Sequence, residues 1–286
     1  MAKKDKYSIT KENQLMRLKE AQRQREVKKA KRRLRLLRSW LQFLMFVGLL
    51  GIIYGGINLP QWRMNPTAFD KVNNPALEII NNRIVPSHKV LSALRCNPVP
   101  SEPIFMVKTE HLKESIMHLE PVQDVYIRRF WFPARLQIII IERTPLLTIS
   151  PEADVPPIAF FSTDGKLIGR EYMPLDSSYK TWLILTYGTK DDYRNWDEQK
   201  VRMFRSIAQT IEELSGEPVE YIDYKNPDDV YVKIPTVKIR LGKISTNIMD
   251  RIARIPSLTP QVKMLNKKVR YIDLRWEKTS YIKLDE

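Results

Sequence analysis

Few residues in this chain are equipped for chemistry. Among 286 residues there are three histidines, His88, His111 and His118, and one cysteine, Cys96. His111 and His118 stand seven apart on one predicted helix, and no Cys, His or Asp around them has metal-ligand spacing. Cys96 lies between Arg95 and Asn97-Pro98 with no acid–base companion in sequence, so it reads as a structural or merely tolerated thiol; alone, it forms no internal disulfide. Glycine is scarce outside the apolar N-terminal segment, and neither a phosphate-cradling loop nor G-x-S-x-G occurs. The carboxylates scattered over residues 60–286 leave open one catalytic arrangement, a glycosidase-like pair. The chain reads as a non-enzyme without a cofactor, and its function is sought in surfaces.

Those surfaces are distributed by one segment. Trp40 to Leu59 (WLQFLMFVGLLGIIYGGINL) carries no charge, and about 20 helical residues span roughly 30 Å, the thickness of a bilayer's hydrocarbon core. Residues 1–38 hold 15 Lys/Arg against 4 Asp/Glu, whereas residues 60–286 hold 33 against 29. Positive charge stays on the cytoplasmic side. The expected organisation is therefore a basic cytoplasmic tail (1–38), a transmembrane helix (39–59) and a large domain outside. A cleaved signal peptide pairs the same two segments, but its apolar core is shorter and Gly55-Gly56-Ile57-Asn58-Leu59-Pro60 offers no A-x-A-like site.

The tail carries most of the excess charge behind the high pI. Arg32, Arg33, Arg35 and Arg38, nearest the apolar segment, are placed to meet anionic lipid headgroups. With no aromatic residue between Tyr7 and Trp40 to stack on bases, no nucleic acid is expected as a partner. Gly51 and Gly55 form a G-x-x-x-G, a spacing that lets membrane helices approach.

After an extended linker (60–75), the pattern turns to α+β. Ala76 to Ile80 is a short apolar run ended by Asn81-Asn82. A helix is predicted from Pro86-Ser87 to Leu94, and a second over Glu110 to Leu119, with Thr109 as its N-cap. Two strands follow, Val122 to Trp131 and Ala134 to Ile141, joined by a turn at Phe132-Pro133 and ended by Pro145. Phe160 to Ile168 around Asp164-Gly165 reads as a hairpin. Val201 to Leu214 has helical periodicity and Gly216 stops it. Strands are predicted at Val219–Tyr224, Val230–Ile234, Val237–Leu241, Val269–Trp276 and Ser280–Leu284, with a helix at Ile248–Arg254.

The order strand, helix, helix, strand, strand carries specific residues: Glu120-Pro121-Val122, Val125-Tyr126-Ile127-Arg128-Arg129-Phe130-Trp131-Phe132-Pro133, then Leu136 to Ile141 and Glu142-Arg143-Thr144-Pro145. This segment resembles the POTRA module of FtsQ/DivIB, bitopic bacterial cell-division proteins. The Asp164-Gly165 hairpin and Tyr271-Ile272-Asp273-Leu274-Arg275-Trp276 extend the resemblance, which is loose between about 170 and 200. The family commonly has Gly-Asn where this chain has Asn81-Asn82; asparagine tolerates the left-handed conformation. The resemblance implies a POTRA domain at 76–145 (β-α-α-β-β) and a mixed, β-rich FtsQ-type domain at 146–286.

It implies, further, a non-catalytic scaffold of the divisome at the division site, in the cytoplasmic (inner) membrane with its large domain in the periplasm. Partners would be FtsB/DivIC-type and FtsL-type proteins, and the scaffold would help regulate septal peptidoglycan synthesis. The contact would fall on the late strands, at Tyr271, Asp273, Arg275 and Trp276, with Lys278, Tyr281 and Lys283 beside them; Tyr, Trp and Arg are common interface anchors. Read from packing alone, alternate residues of these strands face the core. The alternative function is a POTRA-bearing component of protein transport or secretion, a class in which a membrane β-barrel is expected after the module.

Overall fold

The computed structural model describes residues 2–265, 268–276 and 279–285, and before residue 31 only some of the side chains. It divides into two units, Met1–Trp62 and Arg63–Glu286.

The first unit is one helix, α1 (Ala2–Ile57). No Gly or Pro occurs before Gly48, and the tail is rich in Lys, Arg, Gln, Glu and Leu, all good helix formers, so nothing breaks it. Lys31–Ile57 is long and apolar enough to cross a membrane. Helical geometry ends two residues before the expected boundary: Asn58 and Leu59 lie past α1, and the Asn58 amide donates to the Tyr54 carbonyl at 2.9 Å. A Cβ added at Gly51 or Gly55 would meet nothing within 4 Å. A short 3-10 turn, Pro60–Trp62, follows, and the Trp62 indole donates to the Gly56 carbonyl at 2.6 Å.

The second unit begins with β1 (Leu77–Ile80), α2 (Ser87–Leu94), α3 (Glu110–Met117), β2 (Val122–Phe130) and β3 (Arg135–Glu142). The three strands lie in the order β1-β3-β2. β1 runs parallel to β3, which demands a crossover, and α2 and α3 supply it. Asn81 takes a left-handed φ of 63°, the conformation its short polar side chain tolerates. Thr109 stands at the start of α3 but in helical geometry, with no capping hydrogen bond from its side chain. The stretch expected as an extended linker is partly core: Met64, Ala68 and Phe69 are buried, and Arg63 bridges to Pro103. Apolar residues spaced Met64, Ala68, Phe69 satisfy the same burial drive as an element, without its hydrogen bonds.

Glu142, at the end of β3, closes this lobe. Its carboxylate accepts from the backbone N–H groups of Arg83 (3.0 Å), Ile84 (2.9 Å) and Val85 (2.7 Å). Ile84 and Val85 are buried, so these donors have no access to water. Glu142→Ala is expected to destabilise the protein by about 2–3 kcal/mol, the cost of orphaned buried donors that had a charged acceptor. Glu142→Gln, which keeps one oxygen, should recover part of it. Urea unfolding measures both, and an unchanged midpoint in Glu142→Ala would show that the loop finds other partners.

The second lobe comprises β4 (Pro145–Ser150), β5 (Ala159–Ser162), β6 (Leu167–Ile168), β7 (Trp182–Leu185), α4 (Glu198–Ser215), β8 (Tyr221–Asp223), β9 (Val230–Lys233), β10 (Lys238–Gly242), α5 (Ile248–Ile252), α6 (Ile255–Met264), β11 (Val269–Asp273) and β12 (Tyr281–Leu284). Pro145, expected only to end a strand, starts β4 in a new sheet. Among the described residues nine strands form a mixed sheet in the order β12-β11-β10-β9-β8-β7-β4-β5-β6. One face packs on α4 through Val201, Phe204, Ile207, Ala208 and Ile211, joined by Ile248, Ile252, Ile255 and Val262 of α5 and α6. The hairpin turn at Gly165 needs glycine twice over: φ is +79°, and a Cβ would lie 2.7 Å from the Glu198 backbone.

The two lobes share their packing. Phe160 and Phe161 are neighbours on β5, and their side chains point to opposite faces of the sheet. Phe161 joins the core under α4; Phe160, with Ile168 and Tyr172, joins the core of the first lobe. Polar clasps flank this seam: Arg143 pairs with Asp164, and Glu120 accepts from the Gly169 N–H at 3.0 Å. The first lobe thus covers the far side of the sheet at β5 and β6.

Candidate docking surface

On β8 to β12 the face opposite the helices carries polar and aromatic side chains. Strand alternation puts Val230 and Val232 in the core and Tyr231 and Lys233 on the other face. Register extends this face: Arg240 lies opposite Tyr231 and opposite Asp273, Tyr271 opposite Lys283, and Asp273 opposite Tyr281.

The side chains interlock. Arg240 makes a bidentate pair with Asp229, at 2.7 and 2.6 Å, and lies 3.7 Å from Asp273. Arg275 folds back from the end of β11 and grips Asp273 at 2.8–3.0 Å. Its aliphatic stem covers Gly242, where a Cβ would come within 2.7 Å and φ is +68°. The Tyr231 and Tyr271 rings meet edge to face, with centroids 6.1 Å apart. The Arg240 guanidinium lies 5.5 Å from the first and 5.6 Å from the second, and the Lys238 ammonium sits 4.5 Å from Tyr231. Such contacts are electrostatic, between cation and ring quadrupole.

Hydrogen bonds from Arg240 hold the Asp229 carboxyl below its usual range, against the opposing effect of burial. The Tyr231 phenol is raised, first by burial and then by the Asp229 charge. Asp273 raises the Arg275 guanidinium. These shifts keep Asp229, Tyr231 and Arg275 in their ordinary charge states at neutral pH, and the two arginines pair with the two aspartates. The remaining charge is basic. A groove of about 580 Å³ beside the network is lined by Tyr221, Lys233, Lys238, Lys268, Arg270 and Asp285, among others.

The edge of the sheet is β12. Among the described residues no strand pairs with its outer side, and Tyr281 is 57% exposed. An open edge of this kind presents unpaired N–H and C=O groups to another chain. Ahead of it, Arg254 donates to the carbonyls of Trp276 (2.7 Å) and Thr279 (3.1 Å).

Of the residues singled out from sequence, Tyr271, Asp273, Tyr281 and Lys283 share this one face, and Arg275 joins it. Asp273 is 5% exposed, so it braces the surface from below. Trp276 lies past the end of β11 with its ring exposed. Lys278 lies outside the described residues. In the first unit, Arg32, Arg33, Arg35 and Arg38 are exposed along α1. Sequence reasoning missed Asp229, Tyr231, Lys238, Arg240 and Arg254. The alternation Val230-Tyr231-Val232-Lys233 marked the face of Tyr231, but nothing local marked its partners.

Among the described residues no three His, Cys, Asp or Glu side chains are grouped so as to hold a metal ion. Comparison with protein-family models and with curated proteins returned no match.

Proposed function

We propose that this chain is a non-catalytic, membrane-anchored docking scaffold of the bacterial division apparatus, of the FtsQ/DivIB kind. Its basic tail lies in the cytoplasm against anionic headgroups, α1 crosses the inner membrane, and Arg63–Glu286 stands in the periplasm with the POTRA module as its first lobe. β12 receives a segment of an FtsB/DivIC-type partner, accompanied by an FtsL-type protein, and so links the scaffold to control of septal peptidoglycan synthesis.

The observation that carries this reading is the open β12 edge beside a rigid, self-neutralised Tyr/Arg face. A strand added there gains main-chain hydrogen bonds from the edge and side-chain anchors from Tyr271 and Tyr281. Lys283 and the basic groove favour acidic residues on the incoming segment. The strand order of the first lobe and the single apolar helix agree with the same family.

Site-specific photo-crosslinking tests it. With a photoreactive residue at position 283 of the full chain in its native cells, adducts with small bitopic coiled-coil proteins are expected, and none of these at exposed Met106 of the first lobe. Adducts with secretion components at 283 would replace the division reading by a transport one. Equal adducts at both positions would remove the docking role from the edge.

A further inference from the structure

The β2–β3 hairpin ends in Phe130-Trp131-Phe132-Pro133, and its two central rings point outward: Trp131 is 61% and Phe132 63% exposed. Arg128 and Arg135 flank them, both exposed, with the Arg135 guanidinium 4.4 Å from the Phe130 ring. Aromatic rings at a tip with arginines behind them match the headgroup zone of a bilayer, where amphipathic rings settle and arginines reach phosphates.

The hairpin is also linked, through one loop, to Arg63 at the start of this unit. Arg63 bridges to Pro103, the loop continues with Met106 N–H donating to the Pro103 carbonyl at 2.8 Å, and Arg129 donates to the carbonyl of Val107 at 2.9 Å. Six residue steps separate Arg63 from Ile57, the end of α1, a span of at most about 20 Å when fully extended. The hairpin is tied to Arg63 through the 103–107 loop.

The geometry points to a second membrane contact: the Trp131-Phe132 tip dips into the headgroup region of the outer leaflet, with Arg128 and Arg135 on anionic phosphates. The inference rests on the proposed anchoring by α1.

The test uses the full chain, carrying Cys96→Ser, in vesicles of three parts phosphatidylcholine to one of phosphatidylglycerol. An environment-sensitive fluorophore is attached in turn at Trp131→Cys, Met264→Cys and Leu50→Cys. Met264 is exposed on α6 and serves as the aqueous control; Leu50 reports α1. The expected result at 131, where aromatic rings settle at headgroup level, is a blue shift and loss of emission with lipids spin-labelled near the headgroup. Position 264 should be unaffected, and position 50 quenched by lipids labelled deep in the acyl chains. Quenching at 50 without quenching at 131 overturns the tip contact and leaves the anchor standing, the result also expected if a protein partner covers the tip. No quenching at 50 removes the anchor and the tip contact together.

Discussion

Replacing Arg240 with methionine is expected to destabilise the protein by about 2–3 kcal/mol, below the 3–5 typical of a broken buried pair because Asp229 keeps some water contact. The side chains of Arg240 and Asp229 are only 18% and 26% exposed, so screening by solvent is incomplete. Asp229 loses both bidentate hydrogen bonds, while Asp273 retains Arg275. Methionine matches much of the volume, so the effect reads the charge rather than a cavity.

The pH dependence has a definite sign. In the folded protein Arg240 lowers the Asp229 pKa; in the unfolded chain it returns to about 3.9. The stabilisation is therefore complete above about pH 4 and is lost as pH falls through the depressed folded value. Urea unfolding of wild type and Arg240→Met should show a constant gap from pH 6 to pH 5, narrowing below about pH 4 as the carboxylate is protonated in both. A gap that persists unchanged into acid would assign the loss to packing against Tyr231 and Tyr271. Equal stability at neutral pH would mean the network contributes nothing net.

How much of this surface could be read along the chain depended on the range of the interactions that made it. Helix α4 was legible because its burial period is local: Val201, Phe204, Ile207, Ala208 and Ile211 all face the core. The Asp164-Gly165 turn and the late strands were legible for the same reason. Helix α6 was missed: it holds two prolines, of which Pro256 sits in the first turn, where its absent N–H costs nothing, and Pro260 is tolerated within the helix. Strands β4 and β7 were missed because they pair in parallel across intervening chain, a contact without a local period. The shared packing of the two lobes was not visible, because it turns on adjacent Phe160 and Phe161 serving different cores. On the docking face, Tyr271 and Asp273 were named from resemblance. Their partner Arg240 lies more than thirty residues earlier and reaches Asp273 only through the parallel β10–β11 pairing. Sequence displays the period of a strand; it does not display the strand's neighbour.

That neighbour on the open side is where the largest effect on binding is expected. The Asp285 N–H donates inward, to the Lys268 carbonyl at 2.9 Å. N–H groups alternate sides along a strand, so those of Lys283 and Tyr281 also point toward β11 and those of Leu284 and Ile282 point out. Proline at 282 therefore removes an outward donor and blocks the register of an added strand without removing a donor from the β11–β12 ladder. Loss of two or three main-chain hydrogen bonds at about 1 kcal/mol each predicts roughly 100-fold weaker binding of the partner captured at position 283. Ile282→Val, which keeps the donor and most of the buried surface, should bind as wild type. Because Ile282 also packs against the core, Leu284→Pro supplies a second blocked donor nearer the strand's end, and unfolding midpoints show whether each variant remains folded. Lys283→Glu should act differently, slowing association with acidic segments and weakening the dependence on salt. Unchanged affinity in a folded Ile282→Pro and a folded Leu284→Pro would mean that the partner reads the Tyr271/Arg275 face and leaves the edge empty, and Tyr271→Ala would then become the variant that loses binding.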